Sequence, residues 1–151
     1  MRLAFLFALA AGLGLAAAGP APAGDADKKL TRPDLTAKEW KKVGDSGLEI
    51  WDVKEGKGDA VKAGGDVKVH YSGWLTDAPA SLFDSSVKRG EPIEFPLTGV
   101  IKGWQQGIPG MKPGGVRRLK IPPELAYGAR GRPGIPANST LVFEVELLEA
   151  K

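Results

Sequence analysis

Short alternating apolar runs, each cut off by glycine or proline, are what most restricts this chain: from residue 47 onward nothing sustains a long helix. Residues 48–53 alternate, residues 54–58 turn, and residues 66–75 alternate again with Val67, Val69 and Tyr71 on one face. Residues 93–95, 116–121 and 140–148 continue the series. The last of these sets Leu141, Phe143, Val145 and Leu147 inward against Val142, Glu144 and Glu146 outward, the period-two pattern of a half-buried strand. One short helix is expected over residues 100–106, bounded by Gly99 and by Gly107-Ile108-Pro109-Gly110. A helix that short buries little alone, so the economical architecture is α+β, a five- to six-stranded antiparallel sheet curved around it.

The 151 residues suffice for one domain and a short appendage, and 42% apolar residues suit a packed core. A net charge of +3 with interspersed signs argues against a nucleic-acid surface. Zero cysteines exclude disulfides, thiolate nucleophiles and sulfur-ligated metals. Arg2 precedes an uncharged run over residues 3–18 with small residues at Ala16-Ala17-Ala18 and Ala21-Pro22-Ala23, the layout of a secretory signal peptide over residues 1–23, cut after Ala18 or Ala23. A retained anchor would need roughly 20 strongly apolar residues. With no cysteine behind the run to carry a lipid, no membrane attachment is expected after cleavage. The string Gly12-Leu13-Gly14-Leu15-Ala16-Ala17 matches a dinucleotide fingerprint only in letters, since no strand precedes it. Residues 24–46 read as a flexible linker in which residues 36–41 could form one capped helical turn.

His70 is the one histidine, and no GxSxG elbow, P-loop or cluster of metal ligands accompanies it, so neither hydrolase nor metal chemistry is indicated. What stands out is a set of aromatic and branched residues beside few polar ones: Tyr71, Phe83, Asp84, Ile93, Val100, Ile101, Trp104, Tyr127, Ile135 and Phe143. That composition fits an apolar ligand pocket. It also fits an ordinary core, which would absorb Phe95, Leu119 and Val145 as well.

Local sequence favours the pocket. Val69-His70-Tyr71-Ser72-Gly73, Phe83-Asp84-Ser85-Ser86, Val100-Ile101-Lys102-Gly103-Trp104, the run Pro122-Pro123-Glu124-Leu125-Ala126-Tyr127-Gly128 and the final alternating strand stand in an order and spacing that resembles the FKBP family of prolyl isomerases over residues 47–151. The resemblance implies the family's antiparallel half-barrel closed on a short helix, with no cofactor and no metal. It implies catalysis of Xaa-Pro rotation, whose barrier of roughly 18–20 kcal/mol reflects lost amide resonance. Reaching milliseconds takes about four decades, or about 5.5 kcal/mol at about 1.36 kcal/mol per decade. A dry aromatic cleft can supply this by withdrawing the water that favours the charge-separated planar imide.

By that resemblance Trp104 forms the floor under the proline ring, with Tyr71, Phe83, Val100, Ile101 and Phe143 as walls. Tyr127 orients a substrate carbonyl and the Ile101 N–H reaches another. Asp84 is the buried carboxylate held by Tyr71 and Arg89, either organising the pocket as an ion pair or taking part directly. Ile93 stands where many members have phenylalanine, and Arg132 where some have histidine, giving a less aromatic and more basic rim. Residues 74–82 look about two residues longer than the usual loop, and residues 131–136, containing Ile135, form a flap stiffened by Pro133 and Pro136. The implied partners are proline-containing polypeptides and macrolide inhibitors. A non-catalytic binding or chaperone module using the same pocket is the alternative function. A dozen residues between Tyr127 and Thr140 leave no room for an inserted domain, and with no long N-terminal helical arm for dimerisation a monomer is expected. The export signal, with no retention tail at Ala150-Lys151, suits a bacterial periplasm or secretion. Asn138-Ser139-Thr140 forms a glycosylation sequon but equally fits the turn into the last strand.

Overall fold

A computed structural model describes residues 30–77 and 81–151. The expected signal peptide therefore lies outside the described residues, as does the middle of the lengthened loop. The elements run β1 (Lys41–Lys42), β2 (Glu49–Lys54), β3 (Asp66–Leu75), β4 (Leu82–Ser85), α1 (Ser86–Arg89), β5 (Ile93–Pro96), a 3-10 turn (Leu97–Gly99), α2 (Lys102–Gly107), β6 (Val116–Ile121), a second 3-10 turn (Pro123–Leu125) and β7 (Leu141–Ala150). The strands form one antiparallel sheet in the order β1-β2-β6-β7-β3-β4, and β5 pairs with the first half of β3. At the centre, β3 and β7 pair along nearly their whole length, from Val67↔Ala150 to Leu75↔Leu141. Bulges interrupt the ladder in β2, β3 and β4 pairings, and such extra residues bend a sheet.

The inward residues of β7 are the alternating set expected, with Leu141, Phe143, Val145 and Leu147 all at 0% exposure. They meet α2, whose Trp104 and following Ile108 are equally buried. Gly103 lets this short helix lie close on β6, because a Cβ there would stand 2.4 Å from Ile121 Cγ2. The helix starts at Lys102, two residues after the expected position, since Val100 (ψ 174) and Ile101 (ψ 150) remain extended after the 3-10 turn. Neither β4 nor α1 was expected. Each is four residues long, too short for a period of two or 3.6 to register. α1 depends on local capping: Ser85 Oγ accepts from the Lys88 N–H at 3.0 Å, and Gly90 closes the other end with φ 80.

The described part of the presumed linker is not loose. Residues 30–43 cross the face of the sheet turned away from α2 and end in β1, which pairs with β2. No helical turn forms over residues 36–41, because the Asp34 carboxylate takes the Thr36 N–H at 2.9 Å and its hydroxyl at 2.8 Å, a local turn that competes with the helix start. Beneath this strap Trp74 and Val142 are both 0% exposed, although alternation places them outward. Trp74 Nε1 donates to the Leu30 carbonyl at 3.3 Å, and Arg32 Nη1 donates to the Thr76 carbonyl at 2.8 Å. Trp40 stands edge-on to Trp51 at 5.7 Å, with Lys120 Nζ 4.8 Å above its ring. Among the described residues no helix is long and apolar enough to cross a membrane.

Candidate active site

Four separate parts of the fold converge beside α2. Strand β3 presents Tyr71, β4 presents Phe83 and Asp84, α1 ends in Arg89, and β7 presents Phe143. Trp104 is enclosed by rings, with Phe143 at 5.3 Å and 88°, Tyr71 at 5.5 Å and 85°, and Phe95 at 5.5 Å and 52°. Phe83 extends the cluster edge-on to Phe143 at 5.6 Å and 89°. Edge-to-face contacts of this kind hold aromatic groups in fixed orientations, each contributing about 0.5–1.5 kcal/mol beyond area burial. Two residues outside the expected set make the cluster possible. Phe95, which the sequence assigns equally to ordinary core, packs on Trp104; its signal is its sharing a face of β5 with Ile93. Gly73 clears the space for the Phe83 and Phe143 contact, since a Cβ there would lie 2.7 Å from each ring.

The polar groups form two sets. Asp84 accepts from the Tyr71 hydroxyl through Oδ2 and from Arg89 Nη1 through Oδ1. Arg89 Nη2 also donates to the Tyr71 hydroxyl at 3.1 Å, closing a three-membered network. The Arg89 side chain is 46% exposed and that of Asp84 10%, so the carboxylate is the desolvated partner. Burial pushes the Tyr71 phenol well above its ordinary value, and the bond to Asp84 adds to the rise while Arg89 opposes it. Burial works against the Arg89 charge, yet its bonds to Tyr71 and Asp84 outweigh this and raise its pKa. In the second set, Arg132 lies over the Tyr127 ring at 5.1 Å and Nη1 donates to its hydroxyl at 3.4 Å. Burial also raises the Tyr127 phenol, and Arg132 opposes that rise. The charge of Asp84 reaches Tyr127 too, which ties the two sets together.

Behind Tyr71, Ser86 Oγ accepts from the Tyr71 N–H at 2.7 Å and donates to the Tyr71 carbonyl at 3.3 Å. It replaces the strand ladder where β4 has given way to α1, and so fixes the Tyr71 backbone. His70 Nδ1 touches the same hydroxyl at 3.1 Å, which places the histidine in a structural bond behind the site. The second serine of Phe83-Asp84-Ser85-Ser86 carried no stated role in the sequence.

Val100, Ile101, Ile135, Trp104, Tyr71 and Phe143 are at most 4% exposed, so the expected floor and inner walls are closed in this structure. The open portion is formed by the half-buried Phe83, Ile93 and Tyr127 with Asp84 and Arg89. On the β4 and α1 side of this portion lies a cavity of about 190 Å³, lined by Leu82, Phe83, Asp84, Ser85, Lys88 and Arg89 and not by Ile93 or Tyr127. At the helix start Gln105 Nε2 occupies the Val100 carbonyl at 2.7 Å, and the Ile101 N–H lies ahead of the helix's own bonds. The Trp104 indole N–H is buried without a hydrogen-bond partner among the described residues. An orphaned buried donor costs about 1–3 kcal/mol and marks a place that a function maintains more readily than plain packing does. No group of three or more metal-ligating side chains is assembled among the described residues.

Tyr71 and Tyr127 are the chain's two tyrosines, so phenolate absorbance reports the site directly. Both native phenols are raised above the ordinary phenol value of 10.0, and a proton held more tightly in the folded state stabilises it fully below that value. Stability is therefore expected to hold from neutrality to about pH 10 and to fall as pH climbs further toward the native values. An ultraviolet pH titration should show phenolate appearing late and together with unfolding. Ordinary ionisation of either tyrosine in the folded chain would contradict this environment.

A family model described as FKBP-type peptidyl-prolyl cis-trans isomerase matches residues 57–148. FkpA of Escherichia coli strain K12, an FKBP-type peptidyl-prolyl cis-trans isomerase, is 48% identical over 127 residues, which is 84% of this chain and 46% of that protein. FK506-binding protein 1 of Dictyostelium discoideum is 51% identical over 108 residues, 70% of this chain and 99% of that protein. The crystal structure of Escherichia coli FkpA superposes with a TM-score of 0.71 at 48% identity, covering 83% of this chain and 55% of that one. The crystal structure of AtFKBP13 gives 0.66 at 40% identity, covering 75% of this chain and 99% of that one. The chain thus spans about half the length of the FkpA proteins it matches.

Proposed function

The chain belongs to the FKBP-type peptidyl-prolyl cis-trans isomerase family, and from that premise we propose that it accelerates rotation about Xaa-Pro bonds in proline-containing polypeptides. The observation that carries this reading is the aromatic enclosure of Trp104 with polar groups confined to its edge, Asp84 held by Tyr71 and Arg89 on one part and Tyr127 held by Arg132 on another. Rotation breaks no bond, so the site needs neither nucleophile nor metal. Apolar rings exclude water and thereby remove solvation from the planar, charge-separated imide, which brings the ground state closer to the twisted transition state. The Tyr127 hydroxyl, protonated at neutral pH and raised further by burial, can donate to the carbonyl of the residue before proline. Asp84 holds Tyr71 in place as a wall of the enclosure, and Phe83 shapes the entrance.

Macrolide inhibitors are read as further occupants of the same apolar site. A monomer is our reading of the working unit. The Ala-rich run of residues 3–18 behind Arg2 supports export, to the periplasm or beyond the cell.

The test is the relaxation rate of a short Xaa-Pro peptide from cis to trans with and without the chain. A rise from tens of seconds toward milliseconds is expected at catalytic concentrations of protein. No acceleration, with an apolar macrolide still bound, would leave a binding module in place of an enzyme.

A further inference from the structure

The flap beside the site is a rigid device that holds one cation in place. Arg132 and Ile135 exchange both backbone hydrogen bonds, N–H to O at 2.9 and 2.8 Å, around Pro133-Gly134 with Gly134 at φ 83. Proline followed by a residue of positive φ is the arrangement of a tight type II turn. Ile135, 4% exposed, plugs this turn into the core, and the Asn138 N–H donates to the Gly128 carbonyl at 2.8 Å across the flap's base. The backbone of Arg132 is thus fixed, and the Tyr127 ring 5.1 Å below its guanidinium fixes the side chain. A planar fork with five N–H donors is held at the mouth of the site, with one of its nitrogens directed at the Tyr127 hydroxyl.

The neighbouring segments share this sign. Lys88 and Arg89 border the cavity, Arg130 precedes Arg132 on the flap, and Lys102 follows Ile101. The acids of the same segments are Glu91, Glu124 and Asp84, and Arg89 already engages the last. Lys88, Lys102 and Arg130 form no ion pair among the described residues. In a chain whose whole net charge is +3, the segments that carry Phe83, Ile101 and Tyr127 thus bear more positive than negative side chains.

We propose that the site selects prolyl segments with an acidic residue immediately before the proline, and that Arg132 is the specificity-determining cation. The inference rests on the isomerase reading of the same site. If the Tyr127 hydroxyl receives the carbonyl of the residue before proline, the side chain of that residue starts within one side-chain length of a guanidinium 3.4 Å from the hydroxyl. A glutamate carboxylate there meets a fork already oriented by stacking, so little side-chain freedom is lost on pairing. The contact lies at a wet rim, which limits the gain to about three- to tenfold.

The experiment compares kcat/KM for two shape-matched peptides, Ala-Glu-Pro and Ala-Gln-Pro in identical flanks, with the full chain at neutral pH. The glutamyl peptide is expected to be faster by about three- to tenfold at low ionic strength, and the ratio should approach one in about 1 M salt, where the screening length is about 3 Å. An Ala-Lys-Pro peptide should be slower than both. In Arg132→Gln the ratio of glutamyl to glutaminyl rates should fall toward one whatever happens to either rate, and Arg132→Lys should restore part of it. The ratio and its salt dependence need no variant, so they decide the matter even if a substitution disturbs the flap. Equal rates at low salt, or a glutamyl excess unchanged in a folded Arg132→Gln chain, would overturn the proposal while leaving the isomerase intact. Failure to accelerate any of the peptides would instead remove the isomerase reading itself.

Discussion

Trp74→Ala should destabilise the chain by about 3–5 kcal/mol, the loss expected of a large core truncation, although Trp74 lies on the side of the sheet away from Trp104. Alternation along β3 places Gly73 toward the Phe83 and Phe143 rings, and hence Trp74 toward the opposite face. There Trp74 is 0% exposed, as is Val142 beside it in the register, and residues 30–43 reach this face through the Leu30 carbonyl on the Trp74 indole. Removing the indole takes away the strap's apolar platform and the donor that holds the Leu30 carbonyl at 3.3 Å. A strap without its platform cannot offset the conformational entropy of ordering its residues, roughly 1–2 kcal/mol each, so it should detach. Urea denaturation measures the first effect, and faster proteolytic cutting within residues 30–43 under native conditions measures the second. A change under about 0.5 kcal/mol, as for an ordinary surface substitution, would mean that the strap is dispensable. Arg32 gives the strap a path to the site, since it binds the carbonyls of Leu75 and Thr76 where the chain leaves β3 for Phe83 and Asp84.

Why the strap escaped the sequence is itself physical. Leu30, Arg32, Leu35 and Trp40 make its contacts without forming a helix or, before β1, a strand, so no period of two or 3.6 connects them. The same holds for its target, because an outward Val142 between inward Leu141 and Phe143 looks solvent-facing until something is known to lie over it. Elements whose signal is periodic were legible, β3 and β7 among them, and α2 was legible within two residues from the breakers on either side of it. The grouping of the candidate site residues was legible for a different reason, in that they stand in blocks of resembling sequence and several of those blocks meet in space. Tyr71, Asp84 and Arg89 do bond to one another, and Phe83 and Phe143 do meet edge-on. Composition and spacing alone could not separate Phe95 from the ordinary core, nor foresee that Ser86 would complete the ladder at Tyr71, since both depend on β5 and α1 bordering β3. Nor could they show how closed the floor is, because whether Trp104 is covered depends on packing from several elements at once.

Asp84→Leu should lower kcat/KM by about ten- to a hundredfold while the chain stays folded, and the loss should pass through Tyr71. Removing the carboxylate leaves two donors without their acceptor. The Arg89 side chain, 46% exposed, can turn to water. Tyr71, at 0% exposure, cannot, and its hydroxyl exchanges the Asp84 acceptor for a guanidinium that can only donate. A buried donor deprived of its acceptor costs about 1–3 kcal/mol, and the ring must shift or tolerate that cost, which about 1.4 kcal/mol per decade converts into the expected loss. Asp84→Asn keeps one carbonyl acceptor and should fall between. The partner variant Tyr71→Phe removes the hydroxyl itself, so nothing is left for Asp84 to orient on that ring. If Asp84 acts by positioning Tyr71, then Asp84→Leu added to Tyr71→Phe should cost little more than either change alone, because the two residues work as one unit. Additive losses in the double variant would place Asp84 in direct contact with the rotating bond, and an unchanged rate in a folded Asp84→Leu chain would move the site away from this wall altogether.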